Sequence, residues 1–209
     1  MLTIYLTRHG QTEWNVQHKM QGWGNGELTE LGLADAKNLA VRLHDTPIDK
    51  IYASTSKRAY QTAEIIAEGR NIPVIKDDVF REMCFGDWDG KFRDDIMAQY
   101  PEDFHTFWEE PQNFKRETCE TFSELQNRVK QAMQMIIDQN NDGTVLVVAH
   151  SIFLRMLFAT IKHLPISDIF TQKRPENTSL TKVIYDGKTF WDAEKELAWL
   201  DEGEPIQSS

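Results

Sequence analysis

Residues 144–149 read Thr-Val-Leu-Val-Val-Ala, apolar without interruption after the first position. The run has the length and the β-branched content of a strand. It shows no polar alternation, so both of its faces must be covered. Strands of that kind belong to parallel sheets, whose crossover helices bury both sides. This one run therefore argues against an all-helical chain and against an antiparallel sheet with a wet face. A second buried strand, Leu2-Thr3-Ile4-Tyr5-Leu6, has the same character.

The rest of the chain supplies the helices. Thr29 is the N-cap of a helix that starts at Leu28-Thr29-Glu30-Leu31 and carries Leu33, Ala36, Leu39, Ala40 and Leu43 at helical spacing. Lys50 to Ser54 is a short strand. A helix follows from about Ser56, with Ala59, Thr62, Ala63 and Ile66 on one face and Gly69 as its stop. Ile72 to Ile75 is an edge strand, because Pro73 cannot donate to a ladder. Phe122, Leu125, Val129, Ala132, Met133 and Ile136 mark a long amphipathic helix, and an apolar helix runs from Ser151 to about Leu164. Leu180 to Tyr185 and Thr189 to Trp191 flank Asp186-Gly187, a hairpin signal. The tail after Glu202 is expected to fray. The predicted class is α/β, a three-layer α/β/α sandwich with a mixed, mostly parallel sheet. Residues 1–209 are read as a single domain. Within it, the stretch at about 83–118 has poor periodicity and dense aromatics, and reads as short helices that cover a site.

The formal charge is −10. Such a surface repels nucleic acid and anionic membranes, so neither is an expected partner. Any anion site must be local and built from a few placed arginines. Cys84 and Cys119 form no disulfide framework and no Cys/His pair has zinc-like spacing, so they read as reduced thiols of a cytoplasmic protein. The N-terminal residues lack the basic region of a signal peptide, and no apolar stretch is long enough to span a bilayer.

Both strong strands end in histidine, at His9 and His150. In a parallel sheet those ends lie on one edge, where open α/β sheets bind ligands. Gly10 is expected to turn the chain so that Arg8 and His9 line one crevice. The Lys50 strand runs into Arg58 in the first helical turn on that edge. Glu82 follows the Ile72 to Ile75 strand and can reach the same side. Two histidines, two arginines and a carboxylate are what phosphoryl transfer through a covalent histidine needs.

In order along the chain stand Arg8-His9-Gly10-Gln11-Thr12-Glu13-Trp14-Asn15, Leu28-Thr29-Glu30-Leu31-Gly32, and Ser54-Thr55-Ser56-Lys57-Arg58-Ala59-Tyr60-Gln61-Thr62-Ala63-Glu64. Then come Glu82 with Phe85-Gly86-Asp87-Trp88-Asp89-Gly90, Val147-Val148-Ala149-His150-Ser151 and Asn177-Thr178-Ser179. Together they resemble the histidine phosphatase superfamily, the phosphoglycerate mutase-like family. The resemblance implies that His9 is the nucleophile and His150 the second histidine, and that Arg8 and Arg58 clamp phosphoryl oxygens. It makes Glu82 the general acid and base, which asks for a raised pKa from an apolar, aromatic surround. Asn15, Gln21 and Ser151 join the phosphate-binding set. No metal and no cofactor are implied. The chain departs from the family pattern in two places. Ser151 stands where glycine is usual, and Asn25 and Glu27 occupy the approach to the Leu-Thr-Glu helix start, where an acidic residue is usual.

His18, His44, His105 and His163 have no motif around them and read as surface or structural. Trp23 and Trp88 sit close to motif residues and are candidates to touch substrate. Three activities fit the resemblance. The expected one is hydrolysis of a small phosphomonoester with broad specificity. The alternatives are a phosphoglycerate mutase and a non-catalytic phosphate-binding module. The segment between Glu82 and His150 is shorter than the mutases' insertion. The basic residues of the cover at about 83–118 are Lys91, Arg93, Lys115 and Arg116, and such a lid suits an ester with an apolar or neutral body. The oligomeric state is left open.

Overall fold

A computed structural model describes residues 1–192 of the chain. Six strands form one sheet in the order β3-β2-β4-β1-β5-β6. They are β1 (Leu2–Arg8), β2 (Lys50–Ser54), β3 (Val74–Asp77), β4 (Gly143–Ala149), β5 (Leu180–Tyr185) and β6 (Phe190–Asp192). β1, β4, β2 and β3 run parallel, while β5 is antiparallel to both β1 and β6, so the sheet is mixed and mostly parallel. The tail after Glu202 lies outside the described residues.

β4 is central, as its unbroken apolar run requires. Val145, Val147 and Ala149 pack into one core with Ile4, Leu6 and the long helix α6 (Phe122–Gln139), to which α7 (Ser151–Ile161) adds Phe153 and Leu157. Leu146 and Val148 point the other way, into a second core with α2 (Glu30–Arg42) and α3 (Lys57–Ala67). Alternate residues of one strand thus feed two helical layers, which is the three-layer architecture. Thr29 caps α2 as expected, its hydroxyl accepting from Gly32 N–H at 3.0 Å.

Some boundaries move. β3 begins at Val74, two residues later than the expected Ile72, although the Pro73 carbonyl already accepts from Ile51 N–H of β2 at 3.0 Å. α7 stops at Ile161, and His163 then sits at φ 54, beyond the reach of helix. A short helix that the sequence pattern does not announce, α1 (Glu13–Val16), follows the first motif and is closed by a Thr12/Asn15 capping box. The stretch after Glu82 forms α4 (Arg93–Gln99) and α5 (Pro101–Glu109) around an aromatic cluster, with Trp88, Phe107 and Phe114 buried. Arg116 ties this cover together by bonding Asp87 at 2.8 and 2.9 Å and by pairing with Asp103.

Candidate active site

β1 and β4 are hydrogen-bonded neighbours with Arg8 opposite Ala149, so His9 and His150 leave the sheet side by side. Their rings lie 5.2 Å apart. Gly10 does not turn the chain through a positive φ. Its backbone is instead pressed against α2, where an added Cβ would lie 2.6 Å from the Gly32 carbonyl oxygen. The turn is held from two sides: Gly10 N–H donates to Thr62 Oγ1 at 3.0 Å, and Asn177 Nδ2 donates to the His9 carbonyl at 2.7 Å.

The hydrogen bonds fix both tautomers. His9 Nδ1 donates to the Gly10 carbonyl at 2.7 Å, which leaves Nε2 unprotonated as the candidate nucleophile. Arg58 Nε donates to that Nε2 at 3.3 Å, and Arg58 Nη2 donates to His150 Nδ1 at 3.2 Å. A guanidinium has no acceptor, so the proton of neutral His150 sits on Nε2. That Nε2 is buried and has no hydrogen-bond partner among the described residues. Arg58 is aimed by the carbonyls of Gly24 and Gly22, at 2.6 and 2.8 Å. Arg8 donates from Nη1 to the Pro175 carbonyl at 3.1 Å, and its Nε is buried with no partner among the described residues.

Burial, and then the charges of Arg58 and Arg8, hold His9 well below the usual imidazole range, with the Gly10 bond opposing. His150 is depressed in the same way, by burial first and then by Arg58. Both rings are therefore neutral at ordinary pH. Burial also brings Arg8 and Arg58 down to about 10, where each remains a cation at neutral pH.

Glu82 is buried beside this group, but its carboxylate is not in the apolar surround expected from the sequence. It accepts backbone N–H bonds from Met83 at 3.0 Å, Ile152 at 3.1 Å and Phe153 at 2.9 Å, the last two at the start of α7. The aromatic residues form the cover's own core instead. Arg128 on α6 pins the Glu82 segment by donating to the carbonyls of Val79, Arg81 and Glu82. Asn15 turns its Oδ1 into the α1 cap, accepting from Thr12 N–H at 3.1 Å, which leaves its NH₂ group to offer elsewhere. Gln21 likewise accepts from Thr12 Oγ1 at 3.0 Å through its side-chain oxygen.

Arg8, His9, Asn15, Gln21, Arg58, Glu82 and Ser151 all line one cavity of about 190 Å³, with His150 fully buried beside His9. Trp23 and Trp88 do not line it. Trp23 props the site from outside, donating from Nε1 to the Glu82 carbonyl at 2.9 Å, and Trp88 belongs to the cover core. The tryptophan that reaches the cavity is Trp108. Asn25 and Glu27 turn to the start of α3, where both contact Lys57. His18, His44, His105 and His163 are exposed.

The sequence reading missed four further cations that line the cavity: Lys19, Arg93, Arg155 and Arg174. Arg93 was counted only as a lid residue, and the other three come from outside the lid. The expectation of a neutral substrate body rested on the lid alone and did not count these cations. Arg155 carried a legible signal, since it stands one helical turn after Ser151 and so shares its face. Lys19 and Arg174 carried none.

A mixed α/β sheet with a neutral histidine pair and two arginines at its C-terminal edge defines a phosphoryl-binding class of fold. Residues 4–195 match the histidine phosphatase superfamily (branch 1), and the chain belongs to that family. It is 34% identical to phosphoserine phosphatase 1 of Hydrogenobacter thermophilus, over 82% of this chain and 81% of that one. It is 31% identical to a probable phosphoglycerate mutase, GpmB, of Erwinia tasmaniensis, over 88% of this chain and 85% of that one. Among solved structures it resembles Bacillus stearothermophilus YhfR with a TM-score of 0.89 and 41% identity, over 92% of this chain and 96% of that one.

Proposed function

We propose that this chain is a metal-independent phosphomonoester hydrolase, a single-domain cytoplasmic enzyme that works through a phosphohistidine on His9. One observation carries the reading. Two buried donors, Arg8 Nε and His150 Nε2, have no acceptor among the described residues, and they accompany a neutral imidazole whose unprotonated Nε2 is held by Arg58 Nε–H alone. Leaving such donors unpaired in a buried site is unfavourable unless a ligand supplies the acceptors. A phosphoryl group has the three oxygens required.

In the first step His9 Nε2 attacks phosphorus. A P–N bond forms, the ester P–O bond breaks, and Glu82 gives a proton to the leaving oxygen. Arg58 moves its Nε–H from His9 to a phosphoryl oxygen, which both frees the nucleophile and neutralises charge. Arg8, His150, Asn15 and Gln21 hold the remaining oxygens, together with the opening turn of α7 at Ser151. In the second step Glu82 takes a proton from water, the hydroxyl attacks phosphorus, and the P–N bond breaks to release orthophosphate.

The test is hydrolysis of p-nitrophenyl phosphate set against bisphosphate-primed isomerisation of 3-phosphoglycerate. Hydrolysis should dominate; efficient isomerisation with little phosphate release would make the chain a mutase instead. His9→Ala should remove acid-labile phosphoenzyme and lower turnover by ~10³-fold or more. Turnover should survive EDTA, and a loss restored by Mg²⁺ would reject the metal-free scheme.

A further inference from the structure

The motif Phe85-Gly86-Asp87-Trp88-Asp89-Gly90 supplies none of the groups used in the phosphoryl steps, yet it carries a half-buried carboxylate, Asp89. Among the described residues Asp89 forms no ion pair. Its Oδ2 instead accepts from the backbone N–H groups of Trp23 and Gly24, each at 3.1 Å. The same turn presents its carbonyls to Arg58, which donates to Gly22 at 2.8 Å and to Gly24 at 2.6 Å. The peptide group between Gly22 and Trp23 therefore has Asp89 on its N–H and Arg58 on its C=O. Hydrogen bonds linked in this way polarise one another, and charged groups at both ends strengthen them. Burial disfavours the Arg58 cation, while the charges of Glu82 and then Asp89 favour it.

The turn is shaped for this contact. Gly22 sits at φ 43, and an added Cβ would overlap Asp89 Oδ1, so only glycine lets the carboxylate come so close. The turn is gripped on its other sides too. Gly24 N–H also donates to the Gln21 carbonyl at 2.7 Å, Trp23 Nε1 donates to the Glu82 carbonyl at 2.9 Å, and the Arg81 guanidinium lies over the Trp23 ring at 4.1 Å. Asp89 itself is fixed from the cover. Its neighbour Trp88 is fully buried in the cover core, and Gly90 N–H donates to the Met20 carbonyl at 2.8 Å.

Arg58 divides its donors between two kinds of partner: the Gly22 and Gly24 carbonyls, and the ring nitrogens of His9 and His150. To bind a phosphoryl group it must give up bonds to the histidines. The two carbonyls are then what fixes the plane of its fork, and a planar fork binds oxyanions only when correctly oriented. We propose that Asp89 is a positioning residue for phosphoryl transfer: from the cover it holds the Gly22-Trp23-Gly24 turn, whose carbonyls aim Arg58 at the phosphoryl oxygens. The inference rests on the phosphatase reading and adds to it a residue that touches neither the phosphoryl group nor His9.

A double-mutant cycle tests it. Asp89→Asn and Asp89→Ala, each alone and combined with Arg58→Ala, are assayed on p-nitrophenyl phosphate at pH 7.5, and calorimetry gives the affinity of each protein for orthovanadate. Burial lifts Asp89 to about 6, so it is an anion at that pH. Asp89→Ala should lower kcat by ~10–100-fold with a smaller change in KM, and weaken orthovanadate by about tenfold or more. Asp89→Asn keeps the acceptor but not its charge, and should lose about three- to tenfold in kcat. Without Arg58, neither substitution should lower kcat further. The isosteric Asp89→Asn carries the test alone if Asp89→Ala does not fold. Parent-like kcat in Asp89→Asn, or a loss just as large in the Arg58→Ala background, overturns the assignment and leaves the phosphatase reading standing. If the parent does not hydrolyse p-nitrophenyl phosphate, the phosphatase reading falls, and the orthovanadate affinities alone show whether Asp89 acts through Arg58.

Discussion

Glu82 has three backbone N–H partners and therefore one well-defined position, with a carboxylate edge on the cavity. If it protonates the leaving oxygen, its importance must depend on how much the leaving group needs a proton. Glu82→Gln keeps the shape and removes the proton relay. It should slow glycerol 3-phosphate by ~10²–10⁴-fold and p-nitrophenyl phosphate far less, since p-nitrophenolate departs without help. Equal loss on both substrates would reduce Glu82 to a structural carboxylate at the start of α7. The residues legible in the sequence were those next to a strand end, because a strand end fixes where a side chain must lie: Arg8, His9 and His150 are all of this kind. Arg58 was legible from its place in a first helical turn. Lys19, Arg174 and the pinning contacts of Arg128 were not, because they depend on how separate segments meet across the cavity.

At the scale of elements, the site depends on how closely α2 approaches the loop after β1. Gly32 sits in the first turn of α2, and a Cβ there would lie 2.1 Å from the Gln11 carbonyl oxygen. Alanine normally strengthens a helix over glycine by roughly 0.5–1 kcal/mol. Here the overlap should reverse the sign. Gly32→Ala is expected to lose ~2–3 kcal/mol in urea unfolding and to lower kcat by displacing the His9–Gln11 run. A variant as stable as the parent would show that the loop gives way freely. The elements themselves were largely readable. β4 announced itself by its unbroken apolar run, and α2, α3 and α6 by helical spacing and caps. What composition could not give was the interior of the cover. Its aromatics pack on one another and its charges pair across turns, so no single period runs through residues 83–118.

At the scale of the whole molecule, two buried neutral histidines make folding sensitive to acid. In the unfolded chain His9 and His150 bind a proton near their ordinary value of 6.5, whereas the folded chain holds both well below it. The unfolded state then carries more protons at mildly acid pH, so stability is full above about 6.5 and falls as pH falls below it. The two rings together give a slope of up to about 2.7 kcal/mol per pH unit. Asp89 opposes them. Burial lifts its carboxyl from 3.8 to about 6, against the bonds it accepts from Trp23 and Gly24 N–H. Between those values the folded state holds the extra proton, which removes roughly 1.4 kcal/mol per unit from the slope. Urea unfolding in phosphate-free buffer should therefore show stability falling from pH 7 towards 5, with the curve bending less steeply below about 6. His150→Gln should remove about one proton's worth of that dependence. A parent curve that is flat from pH 7.5 to 5, or a variant with the parent's slope, would mean that the histidines are not held neutral. Saturating phosphate should act in the opposite direction: an anion held in the cavity beside the rings favours their protonated forms, so its presence should flatten the same curve.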